Sequence, residues 1–508
     1  MRDTVIKKQD RRLAAVMLCL LFCLAGCGAK EQVAPALENP KRTAAEPASL
    51  PQPEPGPMPQ DLGPFSYLEE EQELAGGSLL LRTYLFADGQ TIQWGRLINT
   101  GEAATVFEAF PSGGTIRYPQ RWYWTEQPFA DGATDKGWIF ADGDDAGYLF
   151  LPPRMYQQLE NGCLKAINEQ NGALHLTAQE EGFRLWMDAP PVGEGFVCDF
   201  MVMKGAAPLV DFDEQAYEFW MPYFNGDNWR WTFDGYYFPS ETTYIPSGED
   251  VFSNLVSCYL SASLMKGIDD YDCADKLNTC LLHTMTLLQN DKGFVQSNAV
   301  SIWLSGDYGI DGAYYDTRFN SDLAERVLVL WQRTEAPFCR DFLDRYMDFY
   351  ESMAVATGWE AGGGLFVPDY WIEKEHRPAH TALNHQLAEI SVLYKLSDAL
   401  QRPALGTLGD RLLAAIEGTA PQWIMADSNL EYAILPDGSF GFTDYPYLTY
   451  NDLYDMQLIL EKRKGSRSPQ LQQLMDAKKR WMDKKGIKEY KQLMDAKKRW
   501  MDKKGIKE

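Results

Sequence analysis

The sequence predicts a multidomain β + α protein: an N-terminal β-sandwich-like domain followed by an incomplete α/α toroid. Three observations predict it. Between Gly77 and Pro246 short apolar or alternating runs recur, punctuated by Asp-Gly and Asn-Gly pairs. Such pairs supply the positive φ angles of tight hairpin turns. Beyond Glu249 the apolar spacing changes to that of helices, separated by aromatic loops rather than short polar turns. Strands first and antiparallel helix pairs second indicate two packed domains, not a mixed α/β sheet.

Residues 1–26 read as a secretory leader. Arg2, Lys7, Lys8, Arg11 and Arg12 precede the apolar run Leu13 to Leu24. That run is short of the roughly 20 apolar residues a membrane-spanning helix needs. It closes on Leu24-Ala25-Gly26-Cys27, which resembles the lipobox of bacterial lipoproteins. The resemblance implies lipidation at Cys27 and an extracytoplasmic protein anchored to the bacterial cell membrane. Residues 27–64 are rich in Pro, Ala and Glu, including Pro51-Gln52-Pro53-Glu54-Pro55-Gly56-Pro57. Such a composition favours extended polyproline II and is expected to act as a disordered stalk.

The β domain is expected over 65–247. Leu79 to Phe86, Ile92 with Trp94, Leu174 with Leu176, and Phe183 to Met187 fit strands, with turns at Asp88-Gly89, Asp131-Gly132, Asp142-Gly143, Asn161-Gly162, Asn171-Gly172 and Asn225-Gly226. The toroid is expected over 248–464. Val251 to Gly267 and Cys273 to Gln289 form a helical hairpin; Leu323, Val327 and Leu330 make one apolar stripe, and Phe342, Tyr346, Phe349 and Met353 the next. Asp322 and Glu325 have the spacing of a capping box. A further helix from about His380 carries Leu383, Leu387, Ile390 and Tyr394, and shorter pieces cover Leu412 to Ile416 and Leu453 to Leu460. The tail, 465–508, is basic and contains a 17-residue repeat: 473–489 recurs unchanged at 492–508. It reads as a solvated helical appendage.

Composition limits the partners. The chain has a formal net charge of −24, but residues 27–460 hold 26 Lys/Arg against 63 Asp/Glu, a net −37. Such a body repels nucleic acid, whose recognition relies on basic patches. It also repels polyanionic sugars unless a local cationic cleft exists. Cys163, Cys198, Cys258, Cys273, Cys280 and Cys339 contain no CxxC pair, and both disulfides and buried thiols remain open. No GxSxG or GxxxxGK pattern occurs.

Three clusters could carry chemistry, and each precedes a helix start. The first, 362–386, holds His376, His380 and His385. Pro378 separates His376 from His380, so the pair does not share a helical face and no metal site is expected. His380 and Asn384, four apart, are expected on one face, with Tyr370 arriving from the preceding loop. The second holds Tyr315, Asp316 and Arg318, the last suited to clamping a carboxylate bidentately. The third holds Asp444, Tyr445, Tyr447, Tyr450 and Asp452. Each cluster also fits an ordinary structural role, with Asp316 or Asp322 as the ion-pair partner of Arg318.

The helical half resembles the C-terminal domain of D-glucuronyl C5-epimerases. Gly362-Gly363-Gly364-Leu365-Phe366-Val367-Pro368-Asp369-Tyr370 is similar to that family's Gly-rich turn and acidic-Tyr segment, with Asp for the usual Glu. Leu383-Asn384 and Leu393-Tyr394 are similar to its following helix. The later tyrosine-rich segment is matched only in kind by Tyr445, Tyr447 and Tyr450. The resemblance implies proton abstraction at a uronate C5, giving epimerisation or β-elimination. Tyr370, His380, Tyr445, Tyr447 and Tyr450 would then exchange the proton, while Tyr315, Asp316, Arg318, Asp369, Asn384 and His385 bind the sugar. No cofactor is expected, and the expected partner is a polysaccharide. A glycoside hydrolase drawing on Asp316, Glu360, Asp369 or Asp444 is the first alternative, since glycosidases need two carboxylates across a cleft. A non-catalytic carbohydrate-binding or envelope-scaffold protein is the second.

Overall fold

A computed structural model describes residues 58–487, apart from 75, 121–122, 136 and 225–228. The leader, the Cys27 lipidation site, the stalk up to residue 57, the Asn225-Gly226 turn and the second copy of the repeat lie outside the described residues. Among the described residues, no helix is long and apolar enough to cross a membrane.

The first part of the chain is sheet-rich and the second part helical. Antiparallel strands Phe65–Leu74, Gly77–Phe86, Thr91–Ile98, Phe196–Gly205, Gly147–Gln158, Leu164–Ala166, Val251–Asn254 and Gly235–Pro239 lie side by side in that order. A smaller sheet runs Ala104–Ala109, Phe183–Ala189, Ala173–Ala178 and Gly132–Thr134. Successive side chains on a strand point to opposite faces, and here both faces of the large sheet are buried. Leu79, Leu81, Leu97, Phe150, Phe200 and Val202 face one core with Leu174, Leu185 and Met187 of the smaller sheet. Tyr84, Ile92, Trp94, Leu149, Met201 and Met203 face the other, which continues into the helices. Tyr84 reaches across that junction, its hydroxyl 3.3 Å from His283 Nδ1 and 3.2 Å from Thr284 Oγ1.

Several elements differ from the expectation. A helix, Glu214–Phe224, interrupts the strand-like stretch, and Asp213 caps it by accepting from the Ala216 N–H at 2.7 Å. Val251–Asn254 is not helical, because it pairs with strands at Leu164 and Tyr237; the helix begins only at Tyr259. The Leu323 helix begins earlier, at Thr317, with Asp316 as its cap, so Asp322 lies inside the helix rather than at a capping box. The pieces around Leu412 and Leu453 extend to Pro403–Thr419 and Leu448–Lys464.

The tail is not a solvated appendage over its first copy. Helix Pro469–Lys485, capped by Ser468, buries Leu471, Leu474, Met475, Ala477, Lys478 and Met482 against the body. Apart from Lys478, the basic residues solvate its outer face while the apolar stripe docks. All six described cysteines are buried and unpaired.

Candidate functional site

The three chemistry-bearing segments meet beside the N-terminal ends of the helices. Strand Tyr315–Asp316 pairs with Tyr370–Trp371, setting Asp316 opposite Tyr370. The Asp316 carboxylate accepts from the Phe319 N–H at 2.9 Å, the ordinary bond of an aspartate N-cap. Asp369 is tied at both ends of its peptide: its N–H donates to the His380 carbonyl, and its carbonyl accepts from the Thr317 N–H. Its carboxyl oxygens lie 2.9 and 3.1 Å from the Ala382 nitrogen, which donates to them. Thr381–Ala382 in turn pairs with Glu431–Ile434, which brings Tyr432 and the Tyr445 loop alongside.

His380 precedes its helix, which starts at Leu383, so its spacing to Asn384 is not that of one helical face. Its position comes from side chains instead. Nδ1 is 2.6 Å from the Tyr308 hydroxyl, and Nε2 is 3.4 Å from Asp369 Oδ2. The ring lies nearly parallel to Trp303, with centroids 5.9 Å apart, and the rings of Tyr370, Tyr432 and Phe442 stand within 5.9 Å. His385 Nδ1 is 3.0 Å from the Thr317 hydroxyl and 3.5 Å from Asp369 Oδ2. One turn further, Glu389 accepts a short hydrogen bond from the Tyr350 hydroxyl.

Burial dominates the electrostatics. It disfavours the charged form of any group it encloses. Burial, helped by the charge of Glu389, holds the Asp369 carboxyl well above the usual carboxylate range, although the Ala382 N–H opposes it. Burial likewise raises Asp316 to about 7 against the Phe319 N–H, and Glu389 to about 7 against the Tyr350 and Thr317 hydroxyls. The same enclosure pushes His380 down to about 3 and His385 well below its ordinary value. Near neutral pH the site therefore sets neutral imidazoles beside carboxyl groups that retain protons. Proton acceptors and donors in contact are the ingredients of general acid–base chemistry.

Other predicted residues are placed differently. Arg318 is committed: it donates to Asp322 at 3.1 Å, to Asp452 at 2.9 and 3.3 Å, and to the Asn384 carbonyl at 3.0 Å. Of its two expected partners, Asp322 is one, and Asp316 is instead the helix cap. Tyr315 is fully buried, its hydroxyl 3.0 Å from that of Tyr346. Tyr445 packs edge-on against Tyr432, whereas Tyr450 belongs to the main hydrophobic core and Tyr447 packs against it half-buried. Asp444 forms an ion pair with Lys478 of the tail helix at 2.7 Å, with side chains 1% and 0% exposed. Glu360 pairs with Arg411 on the surface, away from this cluster, and His376 hydrogen-bonds the neighbouring Arg377 carbonyl.

Sequence reasoning missed Tyr308, Trp303, Tyr432, Glu389 and Lys478. Glu389 had a signal: an acid four residues after His385 amid the apolar stripe of Leu383, Leu387 and Ile390. Trp303 and Tyr308 sit on the short helix Ile302–Tyr308, whose C-terminal carbonyls are clasped by Arg377. Its guanidinium donates to Asp307 and Gly306 at 2.7 and 2.8 Å, and its N–H donates to the Tyr308 carbonyl.

No family profile and no curated protein sequence matches the chain. Among solved structures it is similar to a family 76 glycoside hydrolase from a bovine Bacteroides thetaiotaomicron strain, at 10% identity and a TM-score of 0.36, covering 81% of this chain and 77% of that one. It is similar to cellobiose 2-epimerase from Spirochaeta thermophila at 14% identity and 0.35, covering 53% and 68%. With unsaturated glucuronyl hydrolase from Bacillus sp. GL1 the figures are 13% and 0.30, covering 44% and 60%. The chain spans less than two thirds of the length of that enzyme and of the D-mannose isomerase and Listeria innocua structures also matched. Likenesses of this size decide neither fold nor chemistry, which rest on the residues themselves.

Proposed function

We propose that the protein processes a carbohydrate by proton transfer at a site centred on His380 and Asp369, on a helical half of incomplete α/α toroid type. One observation carries the reading: the Tyr308–His380–Asp369 line, with its 2.6 and 3.4 Å spacings, enclosed by the rings of Trp303, Tyr370, Tyr432 and Phe442. Aromatic walls suit the apolar faces of sugar rings, and a neutral imidazole against a protonated carboxyl can accept one proton while another is donated. His380 is 2% exposed, so a substrate reaches it only when this enclosure opens. The finer form of the reading is abstraction of a carbon-bound proton, giving epimerisation or elimination as at a uronate C5. Glycoside hydrolysis is the second reading, favoured by the three buried carboxyls Asp316, Asp369 and Glu389. The leader and Cys27 extend the proposal to a lipid-anchored extracytoplasmic protein, tested by mass spectrometry of the mature N-terminus.

The test is proton NMR of a glycan panel incubated with the protein in D₂O. Deuterium at a sugar carbon means epimerisation, unsaturated-sugar signals elimination, and new reducing ends hydrolysis. His380→Asn should lower turnover by about 10²-fold or more while the fold persists in circular dichroism. An unchanged panel, or full turnover in that variant, removes this site from the chemistry.

A further inference from the structure

One wall of the His380 enclosure is held from outside the site. Thr381–Ala382, which follow His380, pair with Glu431–Ile434, and that strand turns back through Phe440–Thr443. The hairpin carries two of the rings around the imidazole, Tyr432 and Phe442, with centroids 5.7 and 5.8 Å from it. Leu430 and Ile434 root the hairpin in the main core. Ala382, Tyr432 and Ala433 instead form a small apolar cluster of their own, with Phe442 and Tyr445 packed against it. Segments with few core contacts are the ones that open first. Phe442 is also strained. Its φ is 67°, in the left-handed region that a bulky side chain rarely adopts. Such a conformation persists where the surroundings over-determine it.

The surroundings here include the tail helix. Lys478 has a side chain 0% exposed, and its ammonium has three N–H donors. It donates to Asn429 Oδ1 at 2.7 Å, two residues before the hairpin's first strand. It also donates to the Asp444 carboxylate at 2.7 Å and to the Tyr445 carbonyl, both just past the second strand. One buried cation therefore ties the two chain ends of the hairpin together. The backbone adds a longer bond there, 3.3 Å from the Asp444 N–H to the Leu430 carbonyl. Tyr445 continues the line inward. Its ring stands edge-on to Tyr432 at 5.4 Å, and Tyr432 stands edge-on to His380.

We propose that Lys478 is a positioning residue of the His380 site: from the tail helix it clips the open end of the hairpin and so holds Tyr432 and Phe442 against the imidazole. This role rests on the reading of His380 as the centre of the site. It gives the first copy of the repeat a task there beyond covering apolar surface.

The experiment is histidine-selective ¹H–¹³C NMR of the full chain, which contains five histidines. A His380→Asn variant assigns the His380 signal, which the surrounding rings displace. Lys478→Met removes the ammonium and keeps an unbranched apolar stem. It should move the His380 signal by more than its linewidth. The signals of His175 in the smaller sheet and His283 at the sheet–helix junction should stay in place. Hydrogen exchange over 429–445 should quicken by about tenfold or more in the same variant. An unmoved His380 signal overturns the inference, even if the tail helix comes loose, because Lys478 would then anchor the tail alone. Shifts at all three histidines also overturn it, since they report general loosening. If Lys478→Met fails to fold, Asn429→Ala removes one of the three contacts and should move the same signal by a smaller amount; no movement there overturns the inference equally. None of these readings needs a substrate. A moved signal with an unchanged glycan panel upholds the clip and removes the carbohydrate reading. An unmoved signal in a protein that turns glycans over does the reverse.

Discussion

The β half and the helical half both bury ionisable groups, and they treat them in opposite ways. In the large sheet, Arg96 and Asp199 are direct cross-strand partners, joined by two parallel bonds of 2.7 and 2.8 Å. Asp234 binds the remaining guanidinium nitrogen, and Asp199 also accepts from the Phe233 N–H at 3.0 Å. Both carboxylates there contact the one guanidinium. Around His380, among the described residues, no cation hydrogen-bonds the carboxyls, and burial raises them against weaker lowering by nearby donors and by the Arg318 charge. A saturated ion pair specifies register, since only one alignment of the two strands satisfies it. An unsaturated cluster stabilises nothing by itself. Such clusters are what acid–base sites look like.

The difference can be broken first at Arg96. Arg96→Ala should cost about 3–5 kcal/mol in urea unfolding, because it strands the buried Asp199 carboxylate. A loss under about 1 kcal/mol would erase the contrast between the halves. The tail helix offers an intermediate case. Lys478→Ala strands Asp444, but burial already raises that carboxyl, so it can neutralise by taking a proton. A loss of about 2–3 kcal/mol at pH 8, shrinking at pH 5, is expected by the same measurement. An equal loss at both pH values would mean that packing, not charge, seats the helix.

The cluster itself should respond with the opposite sign. Glu389 has a folded value of about 7 against an ordinary 4.5. The native state therefore keeps a proton that the unfolded chain releases between those values, and stability falls as pH rises through that window. Glu389→Gln cannot ionise. It should be more stable than the parent by about 1–3 kcal/mol at pH 8 and nearly equal at pH 5. The buried histidines act in reverse: lowered in the fold, they cost stability as pH drops below about 6.5 toward 3. A Glu389→Gln variant less stable than the parent at pH 8 would show that this carboxylate is compensated after all.

Much of the fold was legible because its signals are local. Positive φ at Gly89, Asn161 and Gly162 is what Asp-Gly and Asn-Gly announced. The stripe of Leu383, Leu387 and Ile390 is buried as its spacing implies. The misread stretches were decided by distant partners. Val251–Asn254 is a strand because Leu164 and Tyr237 are there to pair with it, and no window around residue 251 contains them. The site divides the same way. Its three segments were visible as polar, aromatic runs before helix starts. Tyr308 and Trp303 were not, since the short helix that carries them lies 72 residues from the histidine that Tyr308 binds.

The sequence by itself determined that strands dominate first and helices after, the acidity of the body, and which segments carry polar chemistry. These follow from residue type and spacing along the chain. Only the tertiary structure decided who pairs with whom: Arg318 with Asp322 and Asp452 but not Asp316, Lys478 with Asp444, and His380 between Tyr308 and Asp369. The physical reason is that burial and Coulomb energy depend on distances through space. A protonation state is therefore a property of the assembled neighbourhood, not of the residue that carries it.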